Sequence, residues 1–231
     1  YYTGQFFDLK TISRAANQHN IPIGFDLAHA IGNVPLQLHD WGVDFATWCS
    51  YKYLNSGPGN VSGIFVHEKH RDNPLLPRFA GWWGHDEKER FKMKKGFKHM
   101  PGADGWFLSN DNVLGLAAHQ ASLELFAEAG LENLRKKSIQ LTGYLEFAIR
   151  ETIKDLELLE IITPLEPTER GCQLSLLIHQ KGKEVFDYWI DNGVVADWRN
   201  PNVIRLAPTP MYNSFQDVFE FSKILKNSLK E

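Results

Sequence analysis

The sequence predicts an α/β protein with a mostly parallel sheet. Short apolar runs alternate with stretches of helical periodicity, as they do where strands and helices form packed layers. Hydrophobic residues make up 43% of the chain and aromatic residues 13%, which is enough for a substantial core. Two apolar runs are each followed closely by a reactive residue, Asp26 and Lys52. Such residues emerge at the carboxyl edge of a sheet, where open α/β sheets usually bind their ligands.

The first part of the chain is expected to hold one helix and three strands. Residues 8–19 have helical spacing, and Asp8 suits the N-cap position. Strands are expected at residues 21–25, 43–49 and 63–67, each a short apolar run bounded by turn residues.

A long segment of low periodicity follows. Residues 74–105 are rich in proline and tryptophan, and a structureless segment of this length in a compact protein is usually functional. Two long helices are expected next, at residues 112–129 and 131–154, separated by Gly130.

The last third of the chain predicts a small α+β domain. Its order is strand, strand, helix, strand, helix, at residues 158–162, 172–179, 183–192, 203–206 and 214–229. We therefore expect two domains, residues 1–105 and residues 106–231.

Composition argues against several classes of partner. The net charge of −3, with acids and bases interspersed, gives no reason to expect nucleic acid, so the basic run at residues 90–98 is expected to be a solvated loop. No apolar run approaches the ~18 residues that span a bilayer. Cys49 and Cys172 lie far apart without CxxC spacing, which indicates reduced thiols and a cytoplasmic location. The histidines show no metal-ligand spacing.

The pair of Asp26 and Lys52 points to pyridoxal phosphate chemistry. A lysine can hold the aldehyde of that cofactor as an imine, and a carboxylate keeps its pyridine nitrogen protonated so that the ring accepts electrons. Taken alone, Asp26 could be a turn or cap residue and Lys52 a solvated loop residue. Their shared position after two apolar runs favours the cofactor interpretation.

Other features allow two interpretations each. His29 could be a satisfied polar residue or lie against the cofactor, and residues 57–59 could bind a phosphate or only form a turn. Trp82 and Trp83 could belong to a core or to an aromatic pocket wall. Arg205 stands inside an apolar strand and needs an anionic partner, either a structural carboxylate or a substrate carboxylate.

Several strings of residues resemble kynureninases. They are FDLAHAIGN at residues 25–33, WCSYKYLNSGPG at 48–59, AGWWGH at 80–85, RFKM at 90–93, SN at 109–110 and RLAPTPMYNSF at 205–215. All fall in the family's order, and the resemblance covers essentially the whole chain. It implies an aspartate aminotransferase-like fold (PLP fold type I). Residues 1–105 would then be the C-terminal part of the large cofactor-binding domain, and residues 106–231 the long helices and small domain.

The resemblance also implies an activity. Kynureninases are pyridoxal 5'-phosphate-dependent hydrolases that cleave L-kynurenine, or 3-hydroxy-L-kynurenine, to anthranilate, or 3-hydroxyanthranilate, and L-alanine. The reaction belongs to tryptophan degradation and NAD biosynthesis. Members are homodimers with shared active sites, to which Trp82 and Asn110 would contribute across the interface.

The expected site residues follow from the same resemblance. Lys52 would bind the cofactor aldehyde, Asp26 would pair with the pyridinium, and Tyr51 would protonate the carbanion formed on cleavage. Cofactor contacts are expected from Asp26, His29, Tyr51, Lys52, Trp82 and Asn110. Substrate contacts are expected from Arg205, which would hold the α-carboxylate, and from His29 and Asn110.

Two alternatives stay open. A related lyase such as a cysteine desulfurase also places an Asp-x-Ala ahead of a lysine, although usually with histidine where this chain has Tyr51. The chain opens like the middle of a domain, so we expect it to be the C-terminal part of a longer protein. Because the family's N-terminal half supplies phosphate-binding hydroxyls and a ring-stacking aromatic residue, the second alternative is a catalytically incomplete fragment.

Overall fold

The computed structural model describes residues 1–153 and 158–228, and the chain divides into two compact units. Unit 1 comprises Tyr1–Phe7, Gly32–Pro35 and Ala129–Glu231, and unit 2 comprises Asp8–Ile31 and Leu36–Glu128. Both units contain a sheet and helices, so the predicted α/β class is confirmed. The division into domains 1–105 and 106–231 stays a prediction.

Unit 2 is built on a three-stranded sheet of order β1-β2-β3, formed by Gly24–Asp26, Phe45–Cys49 and Ser62–Val66. β1 and β2 pair in parallel, with Asp26 opposite Thr47. β3 pairs with β2 in the antiparallel sense. The connection from β2 to β3 contains no crossover helix, which a parallel pairing would need, so the sheet is mixed.

Helix α1, Leu9–Gln18, begins at the predicted cap. The carboxylate of Asp8 accepts hydrogen bonds from the N–H of Thr11 at 2.9 Å and from its hydroxyl at 2.7 Å. It thereby satisfies a donor that the first helical turn leaves unpaired. Helix α2, Val113–Ala129, begins in unit 2 after the long irregular segment.

The long segment has little regular structure, as predicted. It contains short 3₁₀ turns at Arg90–Lys92 and Gly102–Trp106 and an antiparallel bridge between His85 and His99. Another 3₁₀ turn, Glu68–His70, precedes it.

Unit 1 holds a four-stranded antiparallel sheet of order β4-β5-β7-β6. Its strands are β4 (Leu159–Ile161), β5 (Leu174–Ile178), β6 (Asp197–Arg199) and β7 (Val203–Leu206), and its helices are α3 (Leu131–Thr152), α4 (Gly182–Asp191) and α5 (Phe215–Ser228). The 3₁₀ turn Pro167–Glu169 lies between β4 and β5. Strand β6 was not predicted from the sequence. The predicted helix ends at Lys154 and Leu229 lie outside the described residues.

The core of unit 1 lies between the helices and one face of this sheet. Trp189 is fully buried, packs edge-on against Phe221 with ring centroids 5.0 Å apart, and donates its indole N–H to the Ser228 hydroxyl at 2.9 Å. On the other face of the sheet, β7 presents Arg205 opposite the buried Ser175 of β5. This second face thus carries a polar cross-strand pair beside the apolar pair of Leu177 and Val203.

Candidate active site

Asp26 is the last residue of β1, and its side chain is exposed. Its Oδ1 accepts a hydrogen bond from the N–H of Ala28 at 2.9 Å. The N–H of Leu27 donates to the carbonyl of Thr47 at 2.8 Å, which extends the pairing of β1 with β2 beyond Asp26. Leu27 is buried and anchors the turn. The carboxylate is therefore held at the carboxyl end of β1.

Lys52 lies in the turn that follows β2, and buried serines close this turn. The hydroxyls of Ser50 and Ser56 are 2.6 Å apart, and the N–H of Ser56 donates to the carbonyl of Ser50 at 3.2 Å. Within the turn, the N–H of Asn55 donates to the carbonyl of Lys52 at 3.1 Å. These bonds fix the backbone at Lys52 and leave its side chain half-buried.

Tyr51 presents its phenol beside the lysine turn and is 44% exposed. A hydrogen bond between its hydroxyl and the Cys49 thiol raises the pKa of Tyr51 above the ordinary value of 10.0. The phenol is therefore protonated at neutral pH, which is the form that a general acid requires.

The turns after β1 and β2 meet at one edge of the sheet. The parallel register brings the two strand ends together, and the ring of His29 meets the ring of Tyr53 edge-on, with centroids 6.2 Å apart. The structure thus brings Asp26, His29 and Lys52 to the same edge of unit 2.

Trp82 and Asn110 belong to two segments that pack directly on each other. A Cβ on Gly81 would lie 2.3 Å from the carbonyl oxygen of Phe107, and a Cβ on Gly84 would lie 2.7 Å from the same atom. The N–H of Gly84 donates to that carbonyl at 3.0 Å. Only glycine permits this approach, which fixes the Trp82 loop against the segment that leads to the exposed Asn110.

Arg90 is 7% exposed and binds the backbone of the Trp82 loop. Its guanidinium donates to the carbonyls of Trp83 at 2.9 Å and His85 at 2.9 Å. It also lies 4.4 Å from the centre of the Trp83 ring. Trp82 remains 44% exposed, with its ring edge-on to Phe91, so the loop presents it outward.

The basic run near this loop is partly balanced by neighbouring acids. Lys92 and Lys94 lie 3.1 Å and 3.4 Å from the carboxylate of Glu89, and Lys98 lies 3.0 Å from Asp86. Each of these lysine side chains is more than half exposed, as expected for a solvated loop.

Arg205 lies in unit 1, on β7, and has a carboxylate partner within the chain. Asp197 stands directly opposite it on β6, and the two side chains form an ion pair. A second N–H of Arg205 donates to the carbonyl of Tyr1 at 2.9 Å. Of the two partners that the sequence allowed, the structure therefore supplies the structural carboxylate.

The sequence alone does not point to Asp197, to the serine pair that closes the lysine turn, or to the role of Arg90. Asp197 and Arg199 alternate with Trp198 in a polar strand that carries no apolar run. Ser50 and Ser56 show no signal beyond turn composition. Their partners become apparent only from the fold.

In the part of the chain that the structure describes, no helix is long and apolar enough to cross a bilayer. Within residues 1–153 and 158–228, no group of three or more histidine, cysteine or acidic side chains is arranged to hold a metal ion.

Comparison with known proteins gives strong sequence matches. Residues 134–225 match the family model described as kynureninase C-terminal domain. The chain is 57% identical to a kynureninase of Flavobacterium psychrophilum, a match that covers 100% of this chain and 55% of that protein. It is 55% identical to a kynureninase of Stenotrophomonas maltophilia, a match that covers 96% of this chain and 52% of that protein. The chain spans about half the length of these curated relatives.

Solved structures match the fold at low sequence identity. A cysteine desulfurase from Thermococcus onnurineus superposes with a TM-score of 0.78 at 15% identity, covering 99% of this chain and 57% of that one. A mutant of C-DES with glycine covalently linked to its PLP cofactor gives a TM-score of 0.80 at 16% identity, covering 98% and 58%. An alanine–glyoxylate aminotransferase from Nostoc gives 0.67 at 18% identity, covering 98% and 59%. The predicted PLP fold type I is thereby confirmed.

Proposed function

Because this chain corresponds to the C-terminal part of the kynureninase family, we propose that the protein carrying it hydrolyses the Cβ–Cγ bond of L-kynurenine or 3-hydroxy-L-kynurenine. The products are anthranilate, or 3-hydroxyanthranilate, and L-alanine, as tryptophan degradation and NAD biosynthesis through kynurenine require. The observation that carries this proposal is the 57% identity over the full chain, combined with the meeting of the Asp26 and Lys52 turns at one sheet edge.

The residues at this edge fit pyridoxal 5'-phosphate. The turns supply an amine at Lys52, a carboxylate at Asp26 and an imidazole at His29, which match the aldehyde, the ring nitrogen and the polar ring substituents of that cofactor. When bound, the cofactor supplies an aldehyde and a ring that withdraws electrons from the substrate. Further contacts are proposed for Tyr51, Trp82 and Asn110.

Each of these side chains has a defined task in the proposed reaction. Asp26 keeps a proton on the ring nitrogen, because a carboxylate stabilises the charged form of that base. The amine of Lys52 removes the proton from the substrate α-carbon. Tyr51, whose raised pKa keeps it protonated, delivers a proton to the β-carbon after the bond breaks. Arg205 binds the α-carboxylate of the substrate. His29 and Asn110 supply further substrate contacts.

We also propose that the protein is a cytoplasmic homodimer in which Trp82 and Asn110 act across the interface. In support of this, Trp82 is 44% exposed, and the apolar start of α2 is open, with Val113 76% and Leu114 84% exposed. Apolar side chains exposed this far are typical of surfaces that a protein partner covers.

A cysteine desulfurase-type lyase is the second candidate and is less well supported. Tyr51 stands where such enzymes usually carry histidine, and Cys172 is fully buried, which leaves it unsuited to nucleophilic attack on a bound substrate. The similarity to solved desulfurases at 15% identity concerns the fold alone.

Product analysis tests the proposal. The purified protein, supplied with pyridoxal phosphate, is incubated separately with L-kynurenine, 3-hydroxy-L-kynurenine and L-cysteine, and the products are quantified by mass spectrometry. Equal amounts of L-alanine and the matching anthranilate are expected from one or both kynurenines. Formation of alanine and persulfide sulfur from cysteine, with sulfide released only after an added thiol reduces that persulfide and with both kynurenines untouched, would overturn the proposal in favour of the second candidate.

A further inference from the structure

Two arginines share one carboxylate on the polar face of the unit 1 sheet. Asp197 and Arg199 lie two residues apart on β6 and so point to the same face, and Asp197 pairs with Arg205 across to β7. The carboxylate of Asp197 contacts both guanidinium groups, one through each oxygen. The side chains of Arg199 and Arg205 are 30% and 10% exposed, so the group is only partly screened by water.

The N-terminal segment completes this cluster. The ring of Tyr1 lies 5.5 Å from the guanidinium of Arg199 and 5.5 Å from that of Arg205. The carbonyl of Tyr1 accepts hydrogen bonds from Arg205 at 2.9 Å and from the side-chain amide of Gln173 at 3.2 Å. Arg205 is therefore oriented from two sides, by Asp197 and by Tyr1.

Among the contacts that the structure describes, two guanidinium groups share one carboxylate in this cluster. We propose that Asp197 and Arg199 are specificity-determining residues. Their task is to adjust the charge beside Arg205 so that the site accepts a substrate with one carboxylate there and discriminates against dianions. This proposal rests on the role proposed above for Arg205.

Arg199 keeps Asp197 paired when a substrate carboxylate binds to Arg205. An incoming carboxylate competes with Asp197 for the N–H groups of Arg205, and a carboxylate left without a cation in a partly desolvated site would be costly. Asp197 keeps its second oxygen on Arg199, so its charge stays compensated when Arg205 turns to the substrate. Without Asp197, the arginines would present a double charge and attract dianions more strongly.

A set of charge-matched variants tests this proposal. Asp197→Asn raises the local charge, Arg199→Gln lowers it, and the double variant Asp197→Asn/Arg199→Gln restores it. Binding of acetate and of malonate to the pyridoxal phosphate-loaded protein is measured by ligand-observed NMR titration, without kynurenine. The ratio of the two dissociation constants is then compared among the variants, with Arg205→Gln as the control that removes the site and Asp191→Asn as a remote charge control.

The ratio of the acetate dissociation constant to the malonate dissociation constant is expected to rise roughly tenfold in Asp197→Asn and to fall by a similar factor in Arg199→Gln. In the double variant it is expected to return near the value of the parent protein. An unchanged ratio in both single variants would overturn the proposal. So would an equal loss of both probes in every variant, because that pattern indicates a purely structural role.

Thermal melts identify variants that have lost the fold. If Asp197→Asn proves unstable, Arg199→Gln decides alone, since it removes the more exposed of the two guanidinium groups. Failure of the protein to cleave kynurenine would contradict the proposed function and leave this binding test valid.

Discussion

At the scale of single residues, Tyr51 and Lys52 in the turn after β2 differ in exposure and in their hydrogen bonds. Lys52 is half-buried and its backbone is fixed by Asn55, whereas Tyr51 is 44% exposed and its hydroxyl bonds to Cys49. The roles of the Lys52 amine and of the Tyr51 phenol can therefore be tested by separate mutations.

We expect Tyr51→Phe to retain the cofactor and to lower kcat about 10²–10⁴-fold, because the ring remains while the proton donor is lost. Steady-state kinetics and cofactor stoichiometry measure the two effects. Tyr188→Phe, a half-buried tyrosine on α4, serves as the control. In the parent protein, the alkaline loss of activity should lie above pH 10.0, because the pKa of Tyr51 is raised. An unchanged kcat in Tyr51→Phe would remove this residue from the mechanism.

Asp44 is a buried carboxylate that joins the start of β2 to two other segments. Its carboxylate accepts hydrogen bonds from the N–H of Ile23 at 2.7 Å and from His70 at 2.6 Å, and it lies 2.7 Å from the amine of Lys69. Burial alone raises the pKa of Asp44, but the bonds from Lys69, Ile23 and His70 outweigh burial, so the pKa is lowered overall.

We expect Asp44→Asn to lower the free energy of unfolding by about 2–4 kcal/mol at neutral pH. A lowered pKa means that the carboxylate stabilises the fold above the ordinary value of 3.8 and loses this effect as pH falls through the lower folded value. Urea unfolding at neutral and acid pH measures the difference, with the exposed Asp72→Asn as the control. A difference that stays constant down to acid pH would contradict this account.

Local signals predicted single residues well, and distant pairings could not be predicted. The Asp8 cap depends only on the next three residues, so Asp8 was predicted at the N-cap position, and its bond to the N–H of Thr11 confirms it. The partner of Arg205 depends on the register between β6 and β7, which no local pattern specifies. For that reason Asp197 was missed, although the need of Arg205 for an anion was recognised.

At the scale of elements, the Trp82 loop depends on one buried arginine. We expect Arg90→Lys to loosen this loop, because an ammonium cannot reproduce the forked bonds to the carbonyls of Trp83 and His85 together with stacking on the indole. Hydrogen exchange at residues 81–86 should quicken, and kcat should fall. Arg71→Lys, an exposed arginine, is the control. Unchanged exchange rates would show that the glycine packing alone holds the loop.

The elements that were predicted contain runs or repeats of apolar residues. Helices α2 and α3 and strand β7 were predicted close to their observed bounds. Strand β1 is shorter than predicted, Gly24–Asp26, because Ile21 and Pro22 precede the pairing with β2 and are exposed. Strand β6 was missed because two charged residues flank its single aromatic residue, so it contains no apolar run.

At the scale of the whole molecule, unit 2 exposes one face of its sheet. Cross-strand pairing puts Phe45, Thr47 and Ile64 on the same face, where Phe45 is 51% and Ile64 42% exposed, while Ala46 on the other face is fully buried. β1 is an edge strand of this sheet. Open apolar faces and strand edges usually receive another segment.

We therefore expect the 231-residue chain alone to bind the dye ANS strongly. The part of the Flavobacterium psychrophilum kynureninase that this chain does not match, supplied as a separate polypeptide, should lower that binding. Fluorescence titration measures the effect, and an unrelated polypeptide of similar length is the control. Dye binding that stays unchanged would mean that the exposed face has another partner.

The proposed cleavage of kynurenine with pyridoxal phosphate depends on Lys52. The most direct measurement is the rate of anthranilate release from L-kynurenine by the pyridoxal phosphate-supplied protein, with Lys52→Ala and the exposed-lysine control Lys136→Ala in parallel. We expect release by the parent protein and by Lys136→Ala, and none above background by Lys52→Ala. Release by Lys52→Ala at the parent rate would show that the reaction does not need Lys52.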